Sequence, residues 1–248
     1  MDSIIEILQK YTSHKYISLT SRANTAIDTL FHLLKMKGIK KILLPDQGTW
    51  IHYLKAAKQC NLALELIKTD YALIDLEDLK KKVNKDAAFV YVQLGAYIIP
   101  EPISNIQKIC KATKTPIVMD VTGTIGTATC NGNYADYLIC SFGKHKPINA
   151  GYGGFISSNK EKIDIEKENQ FDEINKEKVM KATQLLPIKH YFYGEMHNKV
   201  KLDLRKYNII HKDAEGINVI IKYKDEKEKN EIISYCNKHN FKYRLTTK

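Results

Sequence analysis

The feature of this 248-residue sequence that most constrains its fold is a regular alternation of two patterns between about residues 15 and 155. Short runs rich in Val, Ile and Leu, typical of strands buried on both faces, alternate with segments whose apolar residues recur at helical spacing. This alternation favours a parallel sheet covered by helices. The predicted strands are 16–19, 41–45, 62–67, 88–94, 116–120, 137–141 and 154–158.

Local signals predict where the helices between these strands begin and end. The first helix ends at Gly38, which is a typical C-cap residue, and a second helix surrounds residues 52–57. Asp75 is a good N-cap for the next helix, and another begins near Pro102. The fold class is therefore predicted to be α/β, a mainly parallel seven-stranded sheet with helices on both faces.

The pattern changes after Ser158, where charged residues dominate and only a thin apolar stripe remains. Beyond this stretch, the sequence predicts a small C-terminal α+β piece with strands at 216–223 and 241–245 around a helix at 226–239. The predicted division is a large domain over 1–158, charged connecting helices over 159–187 and a small α/β subdomain over 188–248.

Composition limits the classes of partner and the cellular location. The formal net charge is +11, but the lysines alternate with acidic residues, which is typical of a solvated surface, so nucleic acid is not an expected partner. Five cysteines without CxxC spacing indicate neither a disulfide framework nor a zinc site, and no metal is expected. Since no apolar run resembles a signal peptide or a membrane span, we expect a cytoplasmic protein.

In parallel α/β sheets, ligands bind beyond the carboxyl ends of the strands. The segments that follow the predicted strands are therefore the first place to look for a site. All of them are rich in polar or small residues. They are 20–24, 46–50, 93–95, 120–123 and 141–154.

Two of these segments carry chemistry together. The loop SFGKHKPINAGYGGF holds two lysines, and a lysine near a desolvated, electropositive site loses its proton easily and can form a Schiff base. One strand earlier, Asp120 ends an apolar run, where it could cap the following turn over 122–125 or pair with a cation such as a protonated pyridine nitrogen. A pyridoxal ring needs both an amine and a carboxylate, and neighbouring strands can supply them.

Other parts of such a ligand also find candidate partners. The backbone N–H groups of Ala23 and Asn24 begin a helix and could bind a phosphate. Trp50, the only tryptophan, could stack on an aromatic ring or serve in ordinary packing. Arg205 and Arg244 could grip a substrate carboxylate or be structural or solvent-facing.

Six motifs in this order carry a resemblance to a known family: SRANTAI, PDQGTW, KTDYALIDLEDL, VYVQLGAYIIPEPISNIQKIC, IVMDVTGTIG and SFGKHKPINAGYGGF. Over about residues 14–158 the chain resembles the DegT/DnrJ/StrS sugar aminotransferases. This family uses pyridoxal 5'-phosphate (PLP) and has the aspartate-aminotransferase fold, called fold type I. The resemblance also implies that the C-terminal part is shortened.

The resemblance assigns roles to individual residues. It implies that Lys146 forms the Schiff base, with Lys144 as the alternative, and that Asp120 faces the pyridine nitrogen. Gly123 and Gly143 stand where the family usually has glutamine and histidine, and Ala23 replaces its usual glycine. The implied cofactor-binding residues are Ala23, Asn24, Trp50, Asp120, Thr122, Ser141 and Lys146, and Gly126 matches a family glycine.

The resemblance implies an aminotransferase that acts on a keto sugar or nucleotide sugar, with glutamate or glutamine as the amino donor. A PLP lyase or sulfur-transfer enzyme with a bulky anionic substrate is an alternative, and the +11 charge would suit it. A non-catalytic relative that serves as a binding module is the third reading. A homodimer is expected, since sites of this fold usually lie at the subunit boundary.

Overall fold

The computed structural model describes residues 3–246 and is built around a seven-stranded sheet. We number its strands β1 to β7 in chain order. They are Tyr16–Thr20, Lys41–Pro45, Ala63–Ile67, Ala87–Val92, Ile117–Asp120, Tyr137–Ser141 and Gly154–Ser158. Every strand predicted between residues 16 and 158 is present, with ends shifted by two residues at most, which confirms the α/β fold class.

The strand order across the sheet is β1-β7-β6-β5-β4-β2-β3. Strands β6, β5, β4, β2 and β3 run parallel to one another, so their carboxyl ends meet at one edge. Strand β7 is antiparallel to both of its neighbours, β6 and β1. The sheet is therefore mainly parallel, and the polar segments that follow β2, β4, β5 and β6 lie along the same edge.

Helices cover both faces of the sheet. They are α1 to α8 in chain order: Ile4–Thr12, Ala23–Met36, His52–Gln59, Leu76–Lys82, Ile103–Thr113, Lys176–Gln184, Leu186–Asp203 and Glu226–Lys238. Alternate strand residues such as Phe89 and Val90 belong to two separate apolar clusters, one on each face. Helices α2 and α3 fill one cluster, and α1, α4 and α5 pack in the other. Strands that are apolar on both sides need this arrangement.

The helix ends follow the sequence signals. Asp75 caps α4 by accepting hydrogen bonds from two backbone N–H groups, and α5 begins after Pro102. Helix α1, which the sequence analysis did not predict, begins with a capping box between Ser3 and Glu6. None of the helices within residues 3–246 combines the length and apolar character that crossing a membrane requires.

The C-terminal part differs from its prediction. The helix expected at 226–239 is present, but only Ile221–Lys222 of the expected strand 216–223 is paired, with Asn208–Ile209. The strand expected at 241–245 is wrong, because Phe241 instead packs against the rings of α8 and its N–H bonds to Cys236 O. An isolated short strand without a neighbouring sheet edge gains too few hydrogen bonds to persist. The domain boundaries themselves stay a prediction.

Candidate active site

Asp120 is the last residue of β5 and its carboxylate is held at the carboxyl edge of the sheet. Its Oδ2 accepts a hydrogen bond from the Tyr53 hydroxyl at 2.7 Å, and its Oδ1 accepts one from Thr122 N at 2.9 Å. Tyr53 is fully buried, and burial, together with the Asp120 charge, raises its pKa well above the ordinary value, so it remains a donor. Each carboxylate oxygen has two lone pairs, so both can accept a further hydrogen bond.

Thr122 and Ser141 connect the tips of β5 and β6. The buried Thr122 hydroxyl accepts a hydrogen bond from Ser141 N at 2.9 Å, and Ser141 Oγ accepts one from Gly143 N at 3.2 Å. These contacts set the direction in which the chain leaves β6. The loop that carries the two candidate lysines therefore starts from a fixed point.

Lys146 lies between two aromatic side chains. Its Nζ donates a hydrogen bond to the Tyr97 hydroxyl at 3.0 Å and lies 4.9 Å from the centre of that ring. The Trp50 ring centre is 5.9 Å from the same nitrogen, near the limit for a cation–π contact. Lys144, the alternative, is exposed, and its stem packs beside Gly151.

A second lysine anchors this loop from helix α7. Lys189 Nζ donates to the carbonyl oxygens of Pro147 and Ile148 at 3.0 and 3.2 Å. Burial lowers the pKa of Lys189. His145 has a left-handed backbone (φ 63°), and its N–H bonds to Asn149 Oδ1 at 2.9 Å. The residues on both sides of Lys146 are thus fixed by hydrogen bonds.

Lys146 and Asp120 act on the same neighbouring groups. Burial is the main cause that raises the pKa of the Cys140 thiol, the Asp120 carboxylate adds to it, and the positive charge of Lys146 opposes it. Burial also raises the pKa of Tyr97, again with a contribution from Asp120. The amine and the carboxylate are therefore both within electrostatic range of the Cys140 thiol.

The Trp50 side chain joins this cluster to the start of helix α2. Its Nε1 donates a hydrogen bond to Asn24 Oδ1 at 2.9 Å. The indole is 50% exposed, which is unusual for a residue that only packs in a core. Part of the Trp50 ring is thus accessible to solvent close to Lys146.

Within the part of the chain that the structure describes, the N-terminus of α2 lacks a side-chain cap. Its N-cap, Arg22, is extended and, among the described residues, makes no side-chain hydrogen bond to the helix. A Cβ on Gly154 would lie 3.0 Å from both Ala23 N and Ala23 Cα, so strand β7 packs directly against this end. Because Gly154 is paired with Ser141 across β6 and β7, Ser141 is also near. Uncapped N–H groups and the positive end of the helix dipole suit a phosphate.

Sequence reasoning missed Tyr53 and Tyr97. Tyr97 follows β4 by five residues and lies just beyond the polar segment 93–95. Gly123 is the signal that could have indicated Tyr97, since a glycine after the end of a strand leaves room for a side chain from another element. Arg205 and Arg244 are both exposed, which agrees with a solvent-facing role.

Comparison with known proteins identifies the family and supports the fold. The family model described as the DegT/DnrJ/EryC1/StrS aminotransferase family matches residues 3–186, which confirms the resemblance inferred from the motifs. No curated protein matches the sequence.

Solved structures share the fold at low sequence identity. PseC of Helicobacter pylori, an aminotransferase involved in the biosynthesis of pseudoaminic acid, is 16% identical with a TM-score of 0.75, and the match covers 95% of this chain and 73% of PseC. NtdA of Bacillus subtilis, solved with bound cofactor PMP, is 14% identical with a TM-score of 0.72 over 95% of this chain and 61% of NtdA.

A cysteine desulfurase from Thermococcus onnurineus NA1 is 14% identical with a TM-score of 0.68, over 95% of this chain and 70% of that protein. It is a desulfurase, whereas PseC is an aminotransferase, although the fold is the same. At these identities, the likeness concerns the fold alone. The family match therefore carries more weight than any one of these structures.

Proposed function

Because this chain belongs to the DegT/DnrJ/EryC1/StrS aminotransferase family, we propose that it is a PLP-dependent aminotransferase whose Schiff-base lysine is Lys146. The observation that carries the proposal is the position of Lys146: its amine lies between the rings of Trp50 and Tyr97, in the loop that follows β6, the parallel neighbour of the strand that ends at Asp120. Lys144 is exposed, and within residues 3–246 no aromatic ring lies over its amine, which favours Lys146.

The residues present suit the cofactor. The Asp120 carboxylate is fixed by two donors and retains lone pairs for a third, as a partner of a protonated pyridine nitrogen requires. The half-exposed indole of Trp50 could cover one face of a flat ring. The first N–H groups of α2, at Ala23 and Asn24, and the Ser141 hydroxyl would hold the phosphate, with Thr122 fixing Ser141.

Bound PLP would supply an aldehyde for amine exchange and a ring that accepts electrons. Asp120 would keep a proton at the ring nitrogen because a fixed carboxylate stabilises the positive charge there. Once an incoming amine has replaced it, Lys146 would move a proton as a free base at the substrate carbon. Trp50 would hold the ring plane, which helps to decide the bond that breaks.

The proposed reaction transfers an amino group from glutamate or glutamine to a keto sugar or nucleotide sugar. Membership of the family supports this substrate class, and PseC, of the same fold, serves the biosynthesis of pseudoaminic acid. Release of 2-oxoglutarate from glutamate, in the absence of an acceptor, would distinguish this reaction from lyase or sulfur-transfer chemistry. A protein that ignores glutamate but releases sulfur from cysteine would contradict the proposal.

A homodimer also belongs to this proposal. Next to the half-exposed Trp50, Ile51 and Leu54 are 63% and 42% exposed, which leaves an apolar surface beside the site. A second copy that covers this surface would shield the site from water. The cytoplasmic location likewise stays a prediction.

The lysine assignment is tested by the visible absorbance of the protein with added PLP. We expect the band of the lysine-bound cofactor in the unaltered protein and in the control Lys144→Ala. We expect it to be absent in Lys146→Ala, because no amine remains at that position. A band that survives in Lys146→Ala but disappears in Lys144→Ala would transfer the role to Lys144.

A further inference from the structure

The Tyr97 side chain lies between Lys146 and Gly123, at a place that no sequence motif indicated. Its hydroxyl accepts the hydrogen bond from Lys146 Nζ at 3.0 Å. On the other side, a Cβ built on Gly123 would lie 2.9 Å from Tyr97 Cε1 and 3.0 Å from Cδ1. Real Cβ atoms do not approach a ring so closely, so the ring can lie here only because residue 123 is glycine.

The backbone of this turn is fixed in a costly conformation. Ala96 and Tyr97 have φ values of 47° and 63°, in the left-handed region that side chains disfavour. Tyr97 O accepts hydrogen bonds from Ile217 N at 2.8 Å and Asn218 N at 2.9 Å. Such a conformation persists only when its surroundings hold it, and such positions cluster at functional sites.

The chemistry of a phenol suits contact with an amine that changes its protonation state. Burial and the Asp120 charge raise the pKa of Tyr97, so it carries its proton at neutral pH. A neutral hydroxyl can accept a hydrogen bond from an ammonium group and donate one to a neutral nitrogen. The contact at Lys146 can therefore survive when the lysine loses its proton.

We propose that Tyr97 is a positioning residue, which holds the Lys146 nitrogen beside Trp50, and that Gly123 is required to admit its ring. Gly123 stands where the resemblance implied a glutamine, and here a tyrosine from another strand exit occupies the space. A role of Tyr97 in the reaction rests on the proposed function, in which Lys146 binds PLP. The hydrogen bond between Tyr97 and Lys146 itself does not require the cofactor.

The test compares Tyr97→Phe with Tyr91→Phe. Tyr91 is a matched control because it is fully buried and its hydroxyl contacts Met119 Sδ rather than a site residue. In protein freed of PLP, acetylation of each lysine is followed by mass spectrometry. We expect Y97F to raise the rate at Lys146 relative to Lys144 about three- to tenfold, since one hydrogen bond to the amine is lost. Y91F should leave the ratio unchanged.

A second readout is the rate at which the visible band forms when PLP is mixed with the protein. We expect a rate about tenfold lower in Y97F and unchanged in Y91F, because the amine is no longer held in place. Gly123→Ala should slow band formation in the same way, and it should add little in a Y97F background, since both changes act through one hydroxyl. If G123A does not fold, the Y97F comparison alone decides.

Two failures can be told apart. An unchanged Lys146 to Lys144 acetylation ratio in Y97F would overturn the inference, even if PLP binds Lys146 normally. A changed ratio in a protein that never forms a PLP band would support the hold on Lys146 and contradict the proposed function.

Discussion

The same contact occurs in two regions of the molecule with different surroundings. At the sheet edge, Asp120 accepts a hydrogen bond from Tyr53 at 2.7 Å, and in the C-terminal part Asp203 accepts one from Tyr235 at the same distance. Tyr53 is fully buried, whereas helix α8, which carries Tyr235, has no buried residue. Burial and convergence with other groups, rather than the hydrogen bond itself, distinguish a candidate site from a surface contact.

A cavity in the C-terminal part shows the same difference between a surface contact and a candidate site. A cavity of about 830 Å³ between α7 and α8 is lined by Asp203, Lys206, Glu231 and Tyr235 among others, mostly in ion pairs and hydrogen bonds with one another. Such exposed pairs contribute little stability. Size alone therefore does not locate the site.

The largest expected effect tests this difference with one substitution in each region. Asp120→Asn should lower the rate of the glutamate half-reaction about 10³-fold, because an amide cannot stabilise a protonated ring nitrogen. Asp203→Asn removes the same charge from the other aspartate–tyrosine pair and should change the rate less than about twofold. A D120N enzyme that keeps a tenth of the activity, with its fold verified by thermal unfolding, would contradict the assigned role.

The second comparison concerns packing. Leu43 in β2 is fully buried, and Leu43→Ala should reduce the free energy of unfolding by about 3 kcal/mol, through lost burial and the cavity left behind. Leu202 in α7 is 60% exposed, and Leu202→Ala should change it by less than about 0.5 kcal/mol. Urea unfolding measures both. An equal loss of unfolding free energy in the two variants would mean that Leu202 is covered in solution, for example by a second copy of the chain.

A third comparison is a pH dependence of opposite origin in the two regions. Burial raises the pKa of Glu101, beside the sheet edge, to about 8, against 4.5 ordinarily. The folded state therefore holds a proton that the unfolded chain has lost, and this contribution to stability falls as pH rises from about 4.5 to 8. Hydrogen bonds from Tyr207 and Lys206 lower the pKa of Glu231, so its contribution is lost only below about pH 4.5.

The variants Glu101→Gln and Glu231→Gln separate these cases. Relative to the unaltered protein, E101Q should gain stability steadily between pH 5 and pH 8, because glutamine cannot ionise. The difference for E231Q should stay constant over that window. Urea midpoints at four pH values would show it, and a flat E101Q difference would mean that Glu101 ionises normally in the folded protein.

The two regions also differ in how far sequence alone could predict them. Strands β2, β4, β5 and β6 could be predicted because each is an almost continuous apolar run that is buried in the sheet. Strand β3, at the edge of the sheet, is more exposed but continues the same alternation along the chain. In the C-terminal part, the alternation of FKYRL predicts a strand at 241–245, but in the described structure these residues form no strand and Phe241 packs on Tyr235 and His239 instead. An alternating apolar pattern shows that a segment is able to form a strand, but whether the strand forms depends on a neighbouring strand with which it can pair.

Within the site, residues at strand exits could be predicted, whereas those from other elements could not. The position of Asp120 and Lys146 follows from the parallel order of β5 and β6. Tyr53 belongs to α3, and Tyr97 belongs to a turn with two left-handed residues. The sequence YVQLGAYIIP does not predict this left-handed conformation. The hydrogen bond between Tyr97 and Lys146 depends on backbone hydrogen bonds from residues 217 and 218, distant in sequence.

The most direct test of the central claim is borohydride reduction of the PLP-loaded protein followed by peptide mass mapping. Reduction makes the link between lysine and cofactor permanent, so the modified residue is read from its mass. The account predicts a pyridoxyl-phosphate label on Lys146 alone. A label on Lys144 or on another lysine, or no label at saturating PLP, would contradict it.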